Sequence, residues 1–176
     1  ASVAALPEPP DLAVIATPPD SVPGLVAQLA GTGCAGAVVI TAGFGEGGAE
    51  AGLARRQAML EAARPALLRI IGPNCLGILR PDIGLNAAFS RGGALPGSLA
   101  LVSQSGAVCA AMLDWALPQG IGFSSVVSMG GSVDVDFGEA IDYLANDADT
   151  GHILLYIEGI HDARRFLSAV RAAARI

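Results

Sequence analysis

Two strand-to-turn junctions carry the groups best suited to chemistry: residues 68–77 (LRIIGPNCLG) and residues 99–108 (LALVSQSGAV). Each runs a short apolar strand into a small polar turn, the place where open α/β sheets hold their ligands. In the first, the rigid Pro73 precedes Asn74 and Cys75, so both are expected at the sheet mouth, where the Asn amide offers hydrogen-bond donors. In the second, Ser103, Ser105 and Gly106 lie between a strand and a helix start. Free amides and the positive dipole end there suit a phosphate. Capping alone would also select Ser105, and the motif by itself leaves both roles open. SQSG is not a G-x-S-x-G nucleophile elbow, because the first glycine is absent.

Three other places invite the same question. Gly43, in TAGFGE (residues 41–46), permits close backbone approach, and the amides around it suit an acidic or amide group. Glu158 ends the apolar run LLYI and is expected at the sheet mouth opposite SQSG. Asp134 and Asp136 follow the Gly130–Gly131 pair. Two carboxylates at that spacing suggest a metal, but Asp136 before an apolar helix reads more simply as its N-cap, and no metal is expected. Cys75 is not taken as a nucleophile: no His lies nearby in sequence, and an isolated small Cys packs more often than it reacts. Cys34 and Cys109 read the same way.

The elements that must position these residues alternate regularly. Short runs rich in Val, Ile and Leu predict strands over residues 12–16, 37–40, 67–71, 99–103, 124–128 and 153–157, parallel and buried on both faces. Helices are predicted over 21–30, 49–63, 106–116, 137–146 and 163–174, with Asp20 and Asp162 as N-caps and Gly31 as a stop. This is a doubly wound α/β pattern. Residues 80–98 break it with Pro81, Pro96 and several glycines around a short extended piece at 85–89, so a domain boundary is placed near Gly97. Each half has only three expected strands, few for an open sheet. The chain also starts almost on a strand, without Met, and ends within a helix, so a piece of a larger protein is expected.

Composition removes several function classes. The 176 residues are 52% hydrophobic and 15% charged, with a mean hydropathy of +0.55, which is ample material for a globular core. No apolar run approaches the roughly 20 residues of a membrane span, and no signal sequence is visible, so a cytoplasmic protein away from membranes is expected. The net charge of −6 and the lack of a basic patch argue against nucleic acid. All ten bases are Arg, which excludes a Walker-type or Schiff-base Lys from this segment. Three cysteines without metal-ligand spacing indicate neither a disulfide framework nor zinc.

Six motifs then carry a resemblance in their order: TPPD (17–20), TAGFGE (41–46), IGPNCLG (71–77), LVSQSGAV (101–108), DVDFGEAIDYLA (134–145) and LLYIEG (154–159). Together they resemble the NDP-forming acyl-CoA synthetase superfamily, which includes the succinyl-CoA synthetase α subunit and ADP-forming acetyl-CoA synthetase. In detail, LDWA (113–116) and residues 160–175 look most like the synthetase-like part of bacterial lysine acetyltransferases, where it is fused to a GNAT domain.

The resemblance implies the C-terminal part of a Rossmann-like CoA-binding domain (residues 1–97), then the N-terminal part of a flavodoxin-like domain (residues 98–176). It implies that CoA touches Thr17, Pro18, Pro19, Thr41, Ala42, Gly43 and Phe44. The Asn74–Cys75 turn would approach its thiol end, with Asn74 donors near the thioester carbonyl. The turn at Ser103, Ser105 and Gly106 would face the phosphate of a phosphohistidine, and Glu158 would orient that His and favour its charged form. His152 and His161 lie outside the motif that bears the His, which would follow Ile176.

Two functions satisfy these implications. One is part of an enzyme that joins an acid to CoA with ATP or GTP, through an acyl phosphate and a phosphohistidine; it needs an ATP-grasp domain or subunit that binds the nucleotide with Mg, and self-association into a homo-oligomer is allowed. The alternative is a non-catalytic module that senses CoA or acyl-CoA and regulates a fused GNAT lysine acetyltransferase. A Rossmann dehydrogenase lacks support, since no G-x-G-x-x-G follows the first expected strand, residues 12–16.

Overall fold

A computed structural model describes residues 2–175. The first two-fifths of the chain holds β1 (Leu12–Ile15), α1 (Val22–Thr32), β2 (Gly36–Val39), α2 (Glu50–Ala63) and β3 (Arg69–Ile71). The three strands form a parallel sheet in the order β1-β2-β3. Val22, Val26 and Leu29 of α1 and Met59 of α2 bury against Ile15, Val39 and Ile70. α1 departs from its sequence signals at both ends. It stops at Gly33, with φ +81°, two residues beyond Gly31, and Asp20 caps nothing because its carboxylate pairs with Arg55. β1 is also less covered than a strand buried on both faces, with Val14 48% exposed.

The remainder forms a second, mixed sheet. β4 (Gly77–Arg80) and β5 (Leu85–Ala88) make an antiparallel hairpin, followed by β6 (Leu95–Ser103), α3 (Gly106–Ala116), β7 (Gly122–Ser128), α4 (Phe137–Ala145), β8 (His152–Tyr156) and α5 (Ala163–Ala173). The strand order is β5-β4-β7-β6-β8, with β6 parallel to both its neighbours and β4 antiparallel to β7. α3 covers one face through Cys109 and Leu113 against Leu101, Phe123 and Val126. α4 and α5 cover the other through Phe137, Ile141, Leu144 and Ala169 against Val102 and Met129. Helices on both faces make this half doubly wound, as its sequence pattern predicts.

The hairpin is where sequence pattern and structure part. A strand at 77–80 was not expected, because only five residues separate it from β3. Gly72 with φ +100° and Asn74 with φ +57° turn the chain there sharply enough to send it into the second sheet. Gly97 falls inside β6, where its pairing with β7 shifts register between Pro96 and Leu99.

The two sheets are stitched along β3. The Val133 and Val135 amides donate to the carbonyls of Gly72 and Ile70, both at 3.3 Å. Asp134 Oδ2 accepts from the Ile70 amide at 2.7 Å and from Arg69 Nε at 3.1 Å. Arg69 also reaches Glu139 at 2.7 Å, and Arg165 grips the same carboxylate from α5 at 2.7 Å. Burial pushes the Glu139 carboxyl up, but the hydrogen bonds from Arg69 and Arg165 outweigh it and hold the group below the usual carboxylate range. Among the described residues, no helix is long and apolar enough to cross a membrane.

Candidate functional site

The strand ends of both sheets converge through a continuous set of hydrogen bonds. Thr41 Oγ1 donates to the Thr17 carbonyl at 2.7 Å, joining the turns after β1 and β2. The Asn74 amide donates to the Thr41 carbonyl at 3.0 Å, adding the turn after β3. From there the Gly131 amide donates to the Pro73 carbonyl at 2.8 Å, and the Leu76 amide to Ser128 Oγ at 2.9 Å, crossing to β7. The Met129 amide donates to the Ser103 carbonyl at 2.7 Å, and the Gln104 amide to the Tyr156 carbonyl at 3.1 Å, which reaches the turn that carries Glu158. The packing leaves no slack: a Cβ at Gly130, where φ is +52°, would collide with the Pro73 and Asn74 carbonyl oxygens.

Within this mouth the candidate residues differ in what they expose. Pro18, Ala42 and Asn74 are exposed, Thr17, Pro19, Thr41 and Gly43 partly so, and Phe44 is buried in the first core. The Asn74 carboxamide has no hydrogen-bond partner among the described residues, so its donors and acceptor are available. Gly43 lies close over Pro19, a Cβ there meeting its ring carbons at 3.3 Å. Its amide is not free, however. The Gly43 and Phe44 amides donate to one oxygen of Glu46, at 2.9 and 2.7 Å. Two successive amides on one carboxylate oxygen make an anion-binding concavity, here filled by the chain's own acid.

Cys75 turns away from the mouth. It is 3% exposed, its Sγ lies 3.3 Å from the Val39 carbonyl, and burial pushes its thiol up to about 12. Such a thiol is protonated and inert at neutral pH. Cys109 is likewise buried and its pKa raised by burial, and Cys34 is buried too.

The second junction builds a tight turn. Ser103 Oγ, fully buried, accepts from the Ser105 amide at 3.1 Å and donates to the Ser105 carbonyl at 2.9 Å. Ser105 Oγ caps α3 by accepting from the Val108 amide at 3.3 Å. The Gly106 and Ala107 amides keep no partner among the described residues and stand at the positive end of α3. The capping role of Ser105 and an anion site at these amides are thus compatible. Asp136 caps α4 by accepting from the Glu139 amide at 2.9 Å, and Asp162 caps α5 by accepting from the Arg165 amide at 2.9 Å. Glu158 is exposed, and its carboxylate has no partner among the described residues.

Three residues at the mouth had not been singled out from sequence. Glu46 fills the amides beside Gly43. Arg55, on α2, donates to the Gly43 carbonyl at 2.8 Å and pairs with Asp20, so one guanidinium ties the first two turns together. Gln104 accepts from the Glu158 and Gly159 amides at 2.7 and 3.0 Å. The first and last stand within motifs already noted, TAGFGE and SQSG, whereas Arg55 gives no local signal because its partners are 12 and 35 residues away.

Known proteins place this geometry in context. Residues 1–81 match the family described as CoA binding domain, and residues 96–176 the family described as succinyl-CoA ligase like flavodoxin domain. ADP-forming acetate–CoA ligase I of Archaeoglobus fulgidus is 41% identical over 99% of this chain, which covers 25% of that protein. The α subunit of ADP-forming acetate–CoA ligase I of Pyrococcus furiosus is 38% identical over 99% of the chain, covering 37% of the subunit. Among solved structures, an acetyl-coenzyme A synthetase of Candidatus Korarchaeum cryptofilum, in complex with phosphate and ADP, superposes with a TM-score of 0.91 at 34% identity. It matches 98% of this chain, which covers 37% of that one. The chain thus spans between a quarter and two-fifths of these relatives. They are acid–CoA ligases, and they lend no support to the finer likeness to GNAT-fused acetyltransferases.

Proposed function

Since the chain belongs to the NDP-forming acyl-CoA synthetase superfamily, we propose that it is the CoA-binding part of an enzyme converting a carboxylic acid, CoA and ATP into acyl-CoA, ADP and phosphate. The reaction runs through an acyl phosphate and a phosphohistidine, whose His and ATP-grasp partner, with its Mg, lie outside this chain. The observation that carries the reading is the unbroken path of hydrogen bonds joining the turns from Thr17 to Glu158.

On that reading residues 1–97 hold CoA and residues 98–176 hold the phosphate. The mouth fits CoA through the unpartnered Asn74 carboxamide, which offers donors, and the exposed surface of Pro18 and Ala42, while the Arg55 guanidinium, held by Asp20 and the Gly43 carbonyl, adds positive charge beside them. CoA supplies the thiol that receives the acyl group. Thr17, Pro18, Pro19, Thr41, Ala42 and Gly43 form the wall along it, Phe44 fixes that wall from the core, and Cys75 contributes only backbone. Asn74 donates to the developing negative charge on the acyl oxygen, where a fixed donor is most effective. The Ser105 hydroxyl and the Gly106 amide cradle the transferred phosphate, with Ser103 folding the turn beneath them. Glu158 accepts a hydrogen bond from a protonated ring nitrogen of the His, which fixes its tautomer.

The test incubates the full-length parent with ATP, CoA and a panel of carboxylic acids. The expected result is ADP and thioester in equal amounts; formation of AMP, or of no thioester, overturns the proposal. CoA binding without nucleotide turnover is the result that favours the sensing module, which at present draws no support from the relatives.

A further inference from the structure

Gln104 sits between the two serines of SQSG, yet it works on a different turn. Its Oε1 accepts from the Glu158 amide at 2.7 Å and the Gly159 amide at 3.0 Å, and its own amide donates to the Tyr156 carbonyl at 3.1 Å. β8 is the edge of its sheet, paired only with β6 among the described residues. Beyond Tyr156, that pairing stops. The two bonds to Gln104 are the hydrogen bonds that fix the 158–159 backbone among the described residues, so the place where the Glu158 side chain leaves the main chain is set by one carboxamide.

The choice of side chain follows from the task. A neutral carbonyl oxygen with two lone pairs can take two successive amides at once. Its length spans from β6 to the end of β8, and it adds no charge beside Glu158. We propose that Gln104 is the positioning residue for Glu158, holding that carboxylate at the height of the α3 amides where the phosphorylated His must stand. The inference rests on the reading that Glu158 orients a phosphohistidine. It goes beyond that reading by giving the carboxylate a specific support on the phosphate turn itself, so that the cradle and the orienting acid move as one body.

The experiment measures single-turnover phosphorylation of the full-length parent by γ-labelled ATP for the wild type, Gln104→Ala, Glu158→Gln and the double variant. Misplacing an orienting group by about an ångström slows its step on the order of tenfold to a hundredfold. A loss of that size is expected for Gln104→Ala, with CoA affinity and the ATP dependence unchanged, and the double variant should be no slower than Glu158→Gln alone. Gln104→Met, which fills the space without accepting the two amides, should match the Ala variant and stands in for it if that one does not fold. Wild-type rates in either folded variant overturn the role of Gln104, as does a double variant slowed by the product of the two single effects. A wild type that takes no label overturns the phosphohistidine reading, and this inference with it.

Discussion

Asp134→Ala separates the two things that Asp134 does at the seam between the sheets. Its carboxylate accepts from the amide of Ile70, a residue with no exposed surface, and it pairs with the half-exposed Arg69. Leaving a buried amide without a partner costs about 1–3 kcal/mol, while a pair this exposed contributes about 0–1 kcal/mol. Truncation should therefore weaken the seam by about 2–3 kcal/mol. Asp134→Asn keeps a carbonyl oxygen for the amide and gives up only the charge, so it should lose less than about 1 kcal/mol. Hydrogen exchange read by mass spectrometry on peptides spanning residues 69–72 is the assay. A loss of 2 kcal/mol corresponds to roughly 30-fold faster local exchange, against less than about fivefold for Asp134→Asn. Equal acceleration in both variants, or less than about threefold in the Ala variant, would refute the assignment of the seam to the buried amide.

Other consequences can be checked alongside it. Gly43→Val places a branched Cβ at φ +102° against the Pro19 ring, so calorimetry should find CoA affinity in the full-length parent reduced at least about tenfold, with the fold retained; unchanged affinity removes Gly43 from the site. The Cys75 thiol, buried and pushed up to about 12, should resist iodoacetamide at pH 8 in the native protein and react after unfolding. Rapid native labelling would contradict its placement. Because the Glu139 carboxyl is held below its unfolded value, the stability it contributes is present above the ordinary Glu range and is lost as pH falls through the depressed value. Acid titration should therefore loosen the contact between α4 and β3 below about pH 4, and Glu139→Gln should flatten that dependence. Ser105→Ala removes the cap of α3 and should lower stability by about 1 kcal/mol in thermal unfolding.

Much of this arrangement was legible in the sequence because it depends on local patterns. Apolar runs placed the strands that bear the site, and short polar side chains before apolar helices identified Ser105, Asp136 and Asp162, all three of which cap as their chemistry suggests. The hairpin was hidden for a physical reason. Both its strands are only four residues long; the second, Leu85–Ala88, reads as extended, but the first, Gly77–Arg80, follows β3 through a turn whose unusual backbone leaves no compositional mark beyond Gly72 and Pro73. Arg55 lay beyond reach because its contacts cross from helix to turn. Glu46 shows a subtler limit: the amides around Gly43 read as suited to an acidic or amide group of a ligand, but the sequence could not say that an acid three residues later folds back to fill them. Asp20 went the same way, its carboxylate taken from the helix by a guanidinium 35 residues on.

If the joined turns serve a phosphohistidine ligase, the protein must take up phosphate from ATP in an acid-labile form. The full-length parent is incubated with γ-labelled ATP, and protein-bound phosphate is tested for loss in acid and survival in base. The expected result is such a label, discharged on adding ADP and formed more slowly in Glu158→Gln. A protein that binds CoA but takes no acid-labile phosphate would contradict it.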